Sequence, residues 1–146
     1  MREIRTLRPI EAPLRAVWGC FVDKRRWESF SDFLDLSPGQ PIEQGCTFWF
    51  GLRLLGLPPV PLKVEVIRYE PEREVRWVGG LPFFRGEHYF QFEDVGEGRT
   101  RFTHGELFSG PLADAFMLFL GDATRRAYLR FNDGLAAEAR RAVPRD

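Results

Sequence analysis

Apolar and polar residues alternate along two stretches near the middle of the chain, on either side of a glycine-rich segment. The alternation runs over residues 87–93 and again over residues 101–108. A period of two is typical of a strand with one buried face. The intervening Val95-Gly96-Glu97-Gly98-Arg99 has the glycines that a tight turn needs. These stretches therefore predict a β-hairpin.

The register of this hairpin follows from matching its two alternating faces. Placing Glu93 opposite Arg101 gives three further pairs on the other face: Phe92 with Phe102, Phe90 with His104, and His88 with Glu106. Opposed pairs are the unit of sheet stability. A slip by one residue would turn one aromatic row to the wrong face. We therefore predict an inner face of Phe rings with one polar cluster, formed by His88, His104 and Glu106.

The pattern changes after Pro111, because no proline occurs from Leu112 to Val143. Apolar residues there recur at helical spacing: Phe116, Leu120, Ala123, Ala127, Phe131 and Leu135. About 30 residues at ~1.5 Å each span ~45 Å. We predict one long C-terminal helix that crosses a whole sheet.

Shorter signals fill the first half of the chain. Strands are predicted over 2–10, 33–37, 46–55, 62–70 and 75–80, and short helices begin near Pro13 and Lys24. Consecutive strands with short connections are typical of an antiparallel meander. We predict a single α+β domain over residues 1–146, in which a curved antiparallel sheet of six or seven strands wraps around the long helix. Two short helices lie near the N-terminus.

Composition and charge narrow the function. The chain has 14 Phe and 4 Trp, which suit either a dense aromatic core or a cavity with aromatic walls. The 21 basic and 21 acidic residues cancel, so we expect no nucleic-acid partner. No apolar stretch approaches the ~20 residues of a membrane helix, and the N-terminus lacks the apolar core of a signal peptide. We expect a cytoplasmic protein with no integral membrane segment.

Several segments resemble the START-like, or SRPBCC, superfamily, whose members share the helix-grip fold and include bacterial polyketide cyclases and dehydrases. The similar segments are Ile10–Trp18, Trp77, Gly86–Phe90 and Thr100–Gly110. The order of the elements is similar too. The resemblance implies a cavity for an apolar or amphipathic small molecule. It leaves the activity open, because members also include lipid carriers and proteins that assist other proteins.

The polar cluster has three interpretations. His88, His104 and Glu106 could anchor a ligand carbonyl or hydroxyl, form a general acid–base pair, or simply satisfy one another inside the fold. A neighbouring carboxylate is expected to raise the pKa of a histidine. Cross-strand spacing is not a metal signature, so we predict no metal and no cofactor.

The candidate ligand-binding walls beside this cluster are large apolar residues, each of which also suits an ordinary core: Trp49, Trp77, Phe90, Phe92, Phe102, Phe116, Leu120 and Phe131.

Three functional hypotheses follow. The first is binding of a hydrophobic or amphipathic, lipid- or polyketide-like molecule in a cavity between the long helix and the sheet. The second is a cyclase or dehydratase acting on a polyketide-like substrate, in which His88 or His104 moves protons and Glu106 orients one of them. The third is a protein-interaction module, which a contiguous exposed apolar patch would favour.

Overall fold

The structure, a computed structural model, describes residues 1–143 and contains seven strands and three α-helices. The strands are β1 (Arg2–Ile10), β2 (Phe33–Asp35), β3 (Thr47–Leu52), β4 (Val60–Glu70), β5 (Glu74–Leu81), β6 (Phe84–Gly96) and β7 (Arg99–Ser109). The helices are α1 (Leu14–Val22), α2 (Trp27–Phe30), which follows a 3₁₀ turn at Lys24–Arg26, and α3 (Ala113–Ala142). The predicted domain extends to residues 144–146, which lie outside the described range.

The seven strands form one antiparallel sheet in the order β1-β7-β6-β5-β4-β3-β2. Strands β2 to β7 are each next to their neighbour in the chain, and β1 pairs with β7 at the far edge. Bulges interrupt the ladder near Arg68 and Gly96, where they bend the strands. Helix α3 packs across the inner face. The predicted helix-grip architecture is confirmed.

The predicted register of the central hairpin is confirmed at every pair. Phe92 lies opposite Phe102, Phe90 opposite His104, His88 opposite Glu106, and Glu93 opposite Arg101. On the outer face Arg101 Nη1 donates to Glu93 Oε2 at 3.0 Å. In the turn, Gly96, Glu97 and Gly98 all have positive φ, which explains the two glycines.

Helix α3 buries most of its predicted stripe against the sheet. Ala127, Phe131 and Leu135 are fully buried, whereas Phe116 and Leu120 near the start of the helix are only half-buried. The Phe131 ring lies 4.7 Å from that of Phe33. A fully buried Phe stabilises a fold by about 1.5–3 kcal/mol. The stripe is therefore well anchored in its second half and looser in its first.

The connection between β3 and β4 differs from the prediction. The expected strand over 46–55 ends at Leu52, because the chain turns at Leu54–Leu57 and Leu55 adopts a φ of +56°. Leu55 and Leu57 are each 61% exposed. The prediction placed Leu55 in the strand because of its apolar character, but it lies in an exposed loop, as Leu57 does.

Candidate functional site

A cleft of about 400 Å³ opens on the inner face of the sheet. Apolar walls come from β3, β4 and β5, among them Phe50, Val64 and Trp77, and the polar groups come from β6 and β7 as His88 and Glu106. Among residues 1–143, α3 supplies none of the lining. A concave apolar site with a few convergent polar groups is typical of small-molecule pockets.

Two opposed glycines make room for this cleft. Gly79 on β5 faces Gly86 on β6, so this position of the inner face carries no side chain. A methyl group at Gly79 would lie 2.8 Å from Val64 Cγ1, and one at Gly86 would collide with Glu106 Oε2. Glycine inside a strand often marks such a close approach. Here it lets the Glu106 carboxyl lie against bare backbone.

Glu106 is a carboxyl group held in a largely apolar setting. Its side chain is 17% exposed, and Oε1 accepts a hydrogen bond from the Tyr128 hydroxyl of α3. Burial raises the pKa of Glu106 to about 7, although the bond from Tyr128 opposes this rise. Burial and the adjacent carboxylate raise the pKa of Tyr128 well above its ordinary value, so its hydroxyl stays a donor. Glu106 can therefore hold or release a proton near neutral pH.

The two histidines belong to a directed chain of hydrogen bonds. Thr6 donates to the His104 carbonyl at 2.7 Å and accepts from Asn132 Nδ2 at 2.8 Å. The Asn132 oxygen therefore faces His104 Nδ1 at 2.8 Å, and that nitrogen must donate. His104 Nε2 is then the acceptor at the 2.7 Å contact with His88 Nε2. His88 carries its proton on Nε2, which leaves its Nδ1 lone pair 3.8 Å from Glu106 Oε1.

Both imidazoles are neutral, which corrects the expectation of a raised histidine pKa. Burial, followed by the proximity of His104, lowers the pKa of His88 well below its ordinary value. Burial lowers the pKa of His104 to about 3, although the bond to Asn132 opposes this. The desolvation cost of an imidazolium outweighs any attraction to Glu106, which is itself protonated over part of the same pH range. Glu106 is the group of this cluster that titrates near neutrality.

Comparison with known proteins supports the same architecture. The family model described as polyketide cyclase / dehydrase and lipid transport matches residues 1–140. The chain belongs to this family. Comparison with curated proteins returns no match to the sequence.

Solved structures similar to this member of the polyketide cyclase / dehydrase and lipid transport family share its fold at low identity. The Zhui aromatase/cyclase from Streptomyces sp. R1128 has a TM-score of 0.77 at 16% identity, over 98% of this chain and 96% of that one. A protein from Thermus thermophilus has a TM-score of 0.75 at 16% identity, over 98% and 100%. A hypothetical protein from Helicobacter pylori has a TM-score of 0.75 at 17% identity, over 94% and 88%. These likenesses establish the fold alone.

The candidate residues predicted for the site divide into three groups. Four line the cleft: Trp77, His88, Glu106 and Trp49, the last at its mouth and 45% exposed. Five are buried elsewhere in the core and do not line it: Phe90, Phe92, Phe102, His104 and Phe131. Two lie half-buried near the start of α3: Phe116, whose ring is 4.8 Å from Phe84, and Leu120. The ligand-binding role of each stays a prediction.

Sequence reasoning missed Tyr128, Asn132 and Thr6. Tyr128 and Asn132 are four residues apart on α3, as are Thr124 and Tyr128, and all three are buried. A row of polar residues at this spacing lies on one helix face beside the apolar stripe. That row is a sequence signal for polar contacts between helix and sheet, and it is separate from the alternation within the strands.

Two further facts bear on the range of functions. Within residues 1–143 no group of three or more His, Cys, Asp or Glu residues is arranged to hold a metal ion. No helix in that range is both long and apolar enough to cross a membrane.

Proposed function

We propose that the protein binds a hydrophobic or amphipathic small molecule in the cleft, with the Glu106 carboxyl as its polar anchor. The observation that carries the proposal is an apolar cleft whose wall includes a carboxyl with a pKa of about 7. Its volume of about 400 Å³ lies within the range of small-molecule sites. The expected cavity between helix and sheet is thereby revised to a cleft lined by the strands.

The protonation of Glu106 defines the head group that fits. A neutral carboxyl can donate one hydrogen bond to a ligand carbonyl or hydroxyl, and an ionised carboxyl can only accept. The walls around Trp77 offer contact to apolar atoms and rings. The ligand we propose therefore has one oxygen-bearing polar end and an apolar remainder.

Filling the cleft tests this proposal without changing its polar groups. Leu62 is a half-buried lining residue, so Leu62→Trp should occupy the cleft with an indole ring. We expect the fluorescent apolar probe N-phenyl-1-naphthylamine to bind the unmodified protein and to bind the variant about tenfold less tightly. Leu129→Trp is the matched control, because Leu129 is 42% exposed and lies outside the cleft lining. Equal probe binding by both variants would contradict the proposal.

A second candidate is a dehydratase or cyclase that uses Glu106 as the acid–base group. The specific observation is again its pKa of about 7, since general catalysis works best when the pKa lies near the operating pH. Ionised Glu106 would take the proton α to a ligand carbonyl, and the neutral carboxyl so formed would return it to a departing β-hydroxyl, releasing water. This assignment gives Glu106, and not a histidine, the moving proton.

A simple β-hydroxy aryl ketone tests the second candidate, because its dehydrated product absorbs in the near ultraviolet. The unmodified protein should accelerate dehydration with a rate that depends on an ionisation near about pH 7, and Glu106→Gln should abolish that acceleration. Probe binding should survive this neutral replacement. Acceleration that persists in Glu106→Gln would exclude Glu106 as the acid–base group and leave the binding proposal standing.

A further inference from the structure

One end of the molecule exposes an unusual number of large apolar side chains. They belong to three segments, the β3–β4 loop at 54–60, the β5–β6 turn at 81–84, and residues 112–119 at the start of α3. Leu118 and Phe119 are each 77% exposed and Leu81 is 72% exposed. We call the apolar residues of these three segments the mouth surface. Residues 115–119 are all apolar, and such an unbroken apolar run around a helix is not expected at a free surface in water.

Two of the three segments border the cleft, and the third is attached to one of them. Val60 and Leu81, from the first two segments, line the cleft itself. The third is joined to the second, because Leu112 N donates to the Phe83 carbonyl at 3.1 Å. The rings of Phe84 and Phe116 also lie 4.8 Å apart. The mouth surface is therefore one feature of the fold.

The three segments contain one charged residue, Asp114, and three basic residues flank the first two segments. They are Arg53, Lys63 and Arg85. Arg85 Nη2 lies 3.7 Å from Glu87 Oε1, so part of its charge is balanced. All three are exposed. The acid of the third segment, Asp114, is already paired with Arg2 Nε at 2.6 Å. In a chain with a net charge of zero, this end combines exposed apolar groups with a local excess of positive charge.

We propose that the mouth surface docks on the surface of an anionic lipid bilayer. Leu118, Phe119 and Leu81 would enter the boundary between headgroups and acyl chains, and the basic residues would lie against the acidic headgroups. The binding of a protein to a membrane surface combines the burial of apolar side chains with the attraction of basic side chains to anionic lipids. The proposal goes beyond ligand binding, because it places the cleft entrance against the membrane so that an apolar ligand exchanges without crossing water.

The charges favour a bilayer over a second copy of the chain. A symmetric dimer through the mouth surface would bring the same patch of each copy together. The interface would then contain Arg53, Lys63 and Arg85 from both copies, and like charges at an interface oppose association. An anionic bilayer satisfies the apolar and the basic groups together.

Vesicle flotation tests the proposal. Full-length protein should float with vesicles of equal parts phosphatidylcholine and phosphatidylglycerol, and less with phosphatidylcholine alone. Leu118→Glu/Phe119→Glu should weaken binding to the mixed vesicles by about tenfold or more, because two apolar contacts become charged. Leu129→Glu is the matched control on the same helix, 42% exposed and outside these segments, and it should bind like the unmodified protein.

The basic residues provide a second, independent set of variants. Lys63→Gln and Arg85→Gln should each weaken binding to the mixed vesicles by about fivefold and leave binding to phosphatidylcholine unchanged. Thermal unfolding of every variant should match the unmodified protein, since all these side chains are exposed.

Three outcomes would overturn the proposal. The first is that the unmodified protein floats with neither kind of vesicle. The second is that Leu129→Glu weakens vesicle binding as much as the double variant does. The third is that the unmodified protein sediments as a dimer and the double variant as a monomer. Probe binding in solution separates this proposal from the previous one, because the double variant should keep the cleft and bind N-phenyl-1-naphthylamine normally.

Discussion

At the end of the inner face nearest the β6–β7 turn, Phe21 of α1 covers the sheet with its ring 4.6 Å from Phe90 and 5.2 Å from Phe92. At the other end, Gly79 faces Gly86, and no α3 residue within 1–143 lines the space above them. The two ends belong to the same strands and share one alternating pattern. The difference shows that the side chains opposite the sheet decide whether an apolar face becomes core or site.

The largest expected effect is the difference in stability lost when one side chain is truncated at each end of the inner face. Phe21→Ala removes a fully buried ring and leaves a cavity, so we expect a loss of about 3–5 kcal/mol in the free energy of unfolding. Leu62→Ala, at the half-buried cleft wall, should cost about 1 kcal/mol because the side chain already borders open space. Urea unfolding at neutral pH measures both. Equal losses would mean that the cleft end is as tightly packed as the core.

The carboxyl of Glu106 at the cleft end should make the stability of the protein depend on pH. The pKa of Glu106 is raised in the folded state from 4.5 to about 7, so its contribution is fully present below about pH 4.5 and is lost as pH rises through about 7. At 1.36 kcal/mol per unit this loss is about 3 kcal/mol. Glu106→Gln lacks the titrating proton. Its stability relative to the unmodified protein should therefore rise by about 3 kcal/mol between about pH 4.5 and about pH 8.

The lowered histidine pKa values change the stability of the protein with pH in the opposite direction to Glu106. The stability of Glu106→Gln must therefore be compared with that of the unmodified protein at each pH. The folded-state pKa of His104 is lowered from 6.5 to about 3, and its contribution is present above about pH 6.5 and lost as pH falls. That loss is common to both proteins and cancels in the difference. Glu28→Gln, the same replacement at an exposed position of α2, is the control for the substitution itself. A difference for Glu106→Gln that does not change with pH would refute the raised pKa of Glu106.

The buried hydrogen bonds among Thr6, His104 and Asn132 should stabilise the fold, so the loss of one partner should lower the free energy of unfolding. Asn132→Ala removes the acceptor of His104 Nδ1 and the donor to Thr6, both buried, so we expect a loss of about 2 kcal/mol. Thr124→Val is the matched control on the same helix, because the buried Thr124 hydroxyl has no hydrogen-bond partner within residues 1–143. It should be neutral or slightly stabilising. Thermal unfolding distinguishes the two variants. A clear loss of stability in Thr124→Val would indicate that the hydroxyl has a hydrogen-bond partner.

The same contrast explains what could be predicted from sequence. The pairing of His88 with Glu106 was predictable, because period-two alternation and chemical matching leave one sensible register. The exposed loop around Leu55 was not, since its apolar residues have the composition of a buried strand and only the location of the cleft mouth gives them another role. The pKa values of Glu106 and His104 were not predictable either: the carboxyl pKa is raised to about 7 and the imidazole pKa is lowered to about 3. Both shifts depend on burial, which a strand pattern does not measure.

Gly86→Ala tests whether the open end depends on bare backbone. The added methyl group would collide with Glu106 Oε2, but that oxygen ends a side chain that borders the cleft and can rotate into it. We expect a modest loss of about 1 kcal/mol at pH 5, the lower end for an overpacked site. Displacement toward water should also lower the pKa of Glu106 in the folded protein. The pH-dependent loss of stability should therefore still begin near about pH 4.5, but it should be smaller and end at a lower pH than in the unmodified protein. Gly19→Ala, in α1 with no atom within 4 Å of the new methyl group, should instead stabilise by about 1 kcal/mol. A Gly86→Ala protein with an unchanged stability profile would show that the carboxyl does not rest on this backbone, and that Gly79 alone opens the cleft.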